Sequence, residues 1–95
     1  MSEEQTITLE VALETLRTTE LPAGMQWYAR SMDGAMSTVE RKYYRSAAGV
    51  IRWLHQKAKA ERAPLEFDFI MYHPEPAFRF AAGRLMFRII QVAAD

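Results

Sequence analysis

Residues 37–62 place Val39, Tyr43, Ser46, Ala47, Val50, Trp53 and Leu54 on one side of a helical projection at about 100° per residue, and load the opposite side with cations. Arg41, Lys42, Arg45, Arg52, Lys57, Lys59 and Arg62 meet only Glu40 and Glu61 there. Such a segment reads as an amphipathic helix, and the rest of the fold must supply the surface that covers its apolar stripe. Ser37-Thr38-Val39-Glu40 has capping-box spacing, in which the serine hydroxyl and the glutamate each take an orphan backbone N–H, so the helix is predicted to open at Ser37. Pro64 sets its end. Ser46, Ala47, Ala48 and Gly49 are small enough for another helix to approach closely at its middle.

The flanking segments are read the same way. Leu9, Ala12, Leu13 and Leu16 recur at helical spacing behind Thr8, a capping residue type, which predicts a helix over 8–19. Ile7, Leu9 and Val11 also alternate as a strand would, but the continuation through Leu13 and Leu16 fits only the helix. Leu21-Pro22-Ala23-Gly24 is a loop, and Asp33-Gly34 a turn. Between them residues 25–32 are read as two helical turns, with Trp27 and Tyr28 among the buried candidates. Residues 65–72 alternate Leu65, Phe67, Phe69 and Met71 against Glu66, Asp68, Ile70 and Tyr72, the signature of a short strand. His73-Pro74-Glu75-Pro76 is a stiff connector.

Residues 76–94 admit two readings. As a helix they carry one stripe of Phe78, Ala82, Leu85, Ile89 and Val92 and a second of Phe80, Gly83, Phe87 and Ile90. As a hairpin, 77–81 and 85–92 flank a turn at Ala82-Gly83-Arg84 and join 65–72 in a three-stranded meander. The Ala, Leu, Met and Arg content favours the helix. The fold expected is therefore mainly α, a bundle of three to four helices with one short extended segment, in a single globular domain over 1–95. The alternative is α+β, with helices packed on a C-terminal antiparallel meander.

Composition narrows the function. The apolar fraction of 49% and aromatic fraction of 12% are those of a folding chain rather than a disordered one. Cysteine is absent, which removes disulfides, thiolate metal sites and a cysteine nucleophile. The first residues are acidic and polar, and no run approaches the roughly 18 apolar residues of a membrane span. A cytoplasmic location away from membranes is expected. Charge cancels to zero overall, with the pI near 6.7, so binding to duplex nucleic acid is not expected.

Catalytic constellations are missing from the pattern. His55 and His73 have no metal-ligand spacing beside them. Ser2, Ser31, Ser37 and Ser46 lie in no nucleophile elbow, and Gly24, Gly34, Gly49 and Gly83 are too dispersed to cradle a phosphate. Glu66 and Asp68 read as solvated charges at a sheet edge. The expectation is a protein that is not an enzyme and uses no metal or cofactor.

What remains is binding. In helical projection Arg41, Arg45, Arg52 and Lys59 share a narrow sector bordered by Tyr44 and His55, a surface suited to a protein partner with an acidic patch. The alternative is a small anionic ligand, such as a nucleotide, bound by the same basic helix. Small, cysteine-free, motif-poor chains are frequent among bacterial and bacteriophage accessory or inhibitor proteins, which act by occupying a partner's surface. The second stripe of the C-terminal segment, represented by Phe80, Phe87 and Ile90, is expected to serve as an interface in a homo-oligomer.

Overall fold

Threonine, valine and tyrosine suit a pleated, half-buried surface better than a helix, and the computed structural model, which describes residues 7–71 and 76–94, shows where that preference wins. Two helices and five strands follow one another: α1 (Leu9–Thr18), β1 (Met25–Met32), β2 (Thr38–Tyr44), α2 (Ala47–Glu61), β3 (Glu66–Met71), β4 (Ala77–Ala82) and β5 (Leu85–Ala93). The strands form one antiparallel sheet in the order β2-β1-β5-β4-β3. Three neighbouring pairs are consecutive in sequence, and the long-range pair β1–β5 joins the first hairpin to the C-terminal meander. The architecture is α+β, which overturns the expected helical bundle.

Each departure has a physical cause. Residues 25–32 pair along their whole length with β5, from Met25 opposite Ala93 to Met32 opposite Met86, so two helical turns give way to a strand. The capping-box reading at Ser37 fails because Asp33 organises a turn there instead. Its Oδ1 accepts from the Ala35 and Ser37 N–H groups, and its backbone pairs with Met36 and Ser37. The cap sits nine residues later, where the Ser46 hydroxyl accepts from Gly49 N–H and α2 begins at Ala47. Residues 77–93 form the hairpin, with Gly83 at φ +58 supplying the left-handed turn residue. Phe78 and Phe80 alternate with Arg79, and Phe87 and Ile89 with Arg88, a period of two that no helix can place in one core.

Both helices cover the same face of the sheet. Trp27 and Ala29 of β1, Phe78, Phe80 and Ala82 of β4, and Phe87 and Ile89 of β5 meet Ala12 and Leu16 of α1 and Val50, Ile51, Trp53, Leu54 and Ala58 of α2 in one core. The predicted helix over 8–19 is α1, capped by the Thr8 side chain at Val11 N–H. Trp53 meets Phe87 edge-on at 5.4 Å, and Trp27 meets Phe78 in the same manner at 6.1 Å. The buried Gln91 amide donates to the Glu20 carbonyl at 2.7 Å, which ties the α1–β1 loop to β5 and satisfies a polar group inside. The small residues at the start of α2 admit not a helix but a ring: a Cβ on Gly49 would lie 2.7 Å from Tyr44 Cδ1.

α2 carries the chain from one edge strand to the other and is fixed to the β2 edge by a polar latch. Glu40 accepts from the Trp53 indole N–H at 3.2 Å and from the Lys57 ammonium, with Lys42 at 3.7 Å. The hydrogen bond from Lys57 is the main reason that the Glu40 carboxyl titrates below its ordinary value, against a smaller opposing effect of burial. A depressed folded-state value means that the latch contributes fully above the unfolded carboxyl range and is lost as pH falls through the folded value. Thermal unfolding of the wild type and Glu40→Gln should therefore differ at neutral pH, and the difference should shrink as pH falls below the ordinary carboxylate range. Removing core contacts at the centre of α2 should cost far more. Leu54→Ala is expected to lower unfolding free energy by about 2 to 5 kcal/mol in urea titrations, because Leu54 is completely buried.

Candidate functional site

Alternation sends the other half of each strand to the face that no described element covers. Across its middle, Arg41 of β2 stands opposite Arg30 of β1, Arg30 opposite Arg88 of β5, and Arg88 opposite Arg79 of β4. Four arginines thus lie in one row spanning roughly 15 Å at ordinary strand spacing. Phe69 of β3, opposite Arg79, ends the row. Like charges directly opposed across strands are destabilising. Among the described residues the only carboxylate within ion-pair distance of the row is Asp68, 3.8 Å from Arg79 Nε.

Two of the guanidinium groups, those of Arg30 and Arg79, are held by neighbouring side chains. Arg30 Nη2 donates to the Met32 sulfur at 3.3 Å, and Arg79 Nη2 to the Met86 sulfur at 2.9 Å; thioether sulfur is a weak acceptor. Arg79 also lies 5.7 Å from the Phe69 ring centre, a cation–π distance. The Nε atoms of Arg30 and Arg79 are shielded from solvent without a hydrogen-bond acceptor among the described residues. Both arginines are held in place, and among the described residues only Arg79 has a carboxylate within ion-pair distance.

Apolar surface flanks the row on both sides. Toward one end Tyr28 and Tyr43 stack obliquely, with ring centres 5.1 Å apart, beside Ile90 and Val92 around a broad, shallow depression. A smaller pocket of about 170 Å³ lies across the row itself, lined by Arg30, Arg79 and Arg88 together with Met32, Met36, Phe69, Phe78 and Met71. Met36, Tyr43, Phe69 and Met71 belong to the few large apolar side chains that are more than 40% exposed, and all four are on or beside this face. Met36 reaches the pocket from a left-handed backbone conformation, φ 64, that a residue with a Cβ rarely adopts.

The structure disperses the residues that the sequence grouped. Arg41 lies in the arginine row, whereas Tyr44 points to the helix side of β2 and packs on Gly49. Burial raises the Tyr44 hydroxyl above its ordinary value. Arg45 is exposed in the β2–α2 connection, and Arg52, His55 and Lys59 are exposed on α2. The single basic face expected over 37–62 does not exist, because 38–44 is a strand and its side chains divide between two faces. Phe80 and Phe87 are completely buried in the core, and Ile90 alone of that expected stripe reaches the uncovered face. His73 lies outside the described residues. Among those described, no group of three or more His, Asp or Glu side chains is placed to hold a metal ion, and no helix is long and apolar enough to cross a membrane.

Arg30, Arg79 and Arg88 escaped sequence reasoning, although a signal existed. Each is a lone cation between two core residues: Ala29 and Ser31, Phe78 and Phe80, Phe87 and Ile89. Comparison with protein families, with curated proteins and with solved structures finds no match to this chain. The site therefore rests on its own geometry. Relief of the repulsion should be measurable: Arg88→Thr removes two opposed like-charge pairs and should raise unfolding free energy by a few tenths to about 1 kcal/mol in denaturant titrations at low salt.

Proposed function

We propose that the protein is a non-enzymatic binding protein whose uncovered sheet face holds an acidic segment of a protein partner. The observation that supports this reading is the row of four arginines opposed across neighbouring strands, with one carboxylate neighbour among the described residues. Stability alone disfavours such a row, and an incoming set of carboxylates converts its repulsion into attraction. Occupying a partner's surface, as an accessory or inhibitor protein does, needs nothing more than this face.

A protein partner suits the face better than a nucleic acid. Stacking of bases needs free aromatic planes, yet Tyr28 and Tyr43 lean on one another and Arg79 lies over Phe69. Methionines, which adapt to irregular apolar side chains, supply much of the remaining surface. The chain as a whole is neutral, whereas nucleic-acid-binding domains are generally basic.

Two charge-matched double variants separate the sheet from the helix. Polyglutamate, used as a probe by fluorescence anisotropy at low salt, should bind the wild type and lose about tenfold or more in affinity to Arg30→Gln/Arg88→Gln, about 1.4 kcal/mol. Arg52→Gln/Lys59→Gln, which removes the same charge from α2, should leave binding nearly unchanged. Equal losses in both variants would reduce the row to general electrostatics, and loss only in the second would return the site to α2. Tighter binding of oligothymidylate than of polyglutamate would replace the protein partner by a single-stranded nucleic acid.

A further inference from the structure

We infer that the small pocket on the arginine row is a specificity site, which takes one apolar side chain of the partner segment while the carboxylates on either side of that residue reach Arg30, Arg79 and Arg88. This inference rests on the reading of the sheet face as a site for an acidic protein segment. It adds that charge alone is insufficient and that the partner presents an acid–apolar–acid pattern.

Size, chemistry and backbone geometry converge on this occupant. About 170 Å³ is room for a leucine-sized or phenylalanine-sized side chain. The lining is mostly apolar, from methionine thioethers, the Phe69 ring and Phe78, and shares the pocket with Arg30, Arg79 and Arg88, so it suits an apolar group carried next to anions. The guanidiniums of Arg30 and Arg79 are already oriented, by Met32 and by Met86 and Phe69 respectively, so little side-chain freedom is lost when carboxylates arrive.

Met36 is the most telling wall. It stands in the Asp33 turn at φ 64, where glycine would be cheaper, and it is 55% exposed. A methionine held in a disfavoured conformation with its side chain over a pocket serves poorly as packing and well as one jaw of a binding site. Met71, 52% exposed on β3, also lines the pocket.

The test uses two short labelled peptides of equal charge, both rich in glutamate, one with a central leucine and the other with glutamine at that position. The leucine peptide should bind the full chain about tenfold more tightly, a difference of about 1.4 kcal/mol. Met36→Gly should erase that preference, bringing the two affinities together, while its thermal midpoint stays at or above that of the wild type. Met71→Gln should erase it as well, which guards against a turn rearrangement peculiar to glycine. Equal affinity of the two peptides for the wild type, with both lost in Arg30→Gln/Arg88→Gln, would overturn the pocket assignment and leave the acidic-segment reading standing. Binding of neither peptide would overturn both. A leucine preference that survives in both methionine variants would place the apolar contact elsewhere on the face and overturn the assignment.

Discussion

A sheet has two faces, and the described helices of this chain both lie on one of them. Five strands at ordinary spacing span roughly 20 Å, about the combined width of two helices side by side, so α1 and α2 suffice for a single face. Everything else in the architecture follows from that shortage. The covered face takes the aromatic and aliphatic halves of the strands, and the other face must remain compatible with water. Arginine meets that need in a particular way, since its stem shields apolar surface while its guanidinium stays hydrated. Scattered charges of both signs would have done so without repulsion. Here the cations are instead aligned across four strands.

The covered face is held by unlike interactions at its two sides. Near the middle, Trp53 and Phe87 contribute area and edge-on geometry between α2 and β5. At the β2 edge the same tryptophan spends its N–H on Glu40, whose second partner is Lys57. Trp53 therefore couples the hydrophobic core to the polar seam, and α2 cannot slide along the sheet without losing both. Because β2 also contributes Arg41 to the opposite face, the latch on one side fixes an end of the arginine row on the other. Packing and site geometry are linked through one strand.

The uncovered face concentrates features that a stability-driven fold would discard: opposed arginines, two guanidinium Nε atoms without an acceptor among the described residues, exposed methionines and a left-handed methionine. They occur together and not dispersed over the surface. Local conflicts of this kind are expected where a protein meets its partner, because a complementary surface resolves them all at once. An acidic segment with an apolar anchor would neutralise the row, supply the missing acceptors and cover the pocket in a single event.

Sequence alone determined what depends on neighbours within a few residues. It located α1 with its Thr8 cap, the burial of Val50, Trp53 and Leu54, the strand over 66–71, the loop at Pro22 and Gly24, and the hairpin turn at Gly83 as one of two readings. It also gathered Arg41 with a basic surface, but assigned that surface to a helix. Tertiary structure alone decided that 25–44 is a hairpin, since β1 is held by β5 more than sixty residues away and no local propensity encodes that pairing. The same holds for the site. Arg30, Arg41, Arg79 and Arg88 come from four strands, and only cross-strand register, which a shift of one residue would invert, brings them into one row on one face.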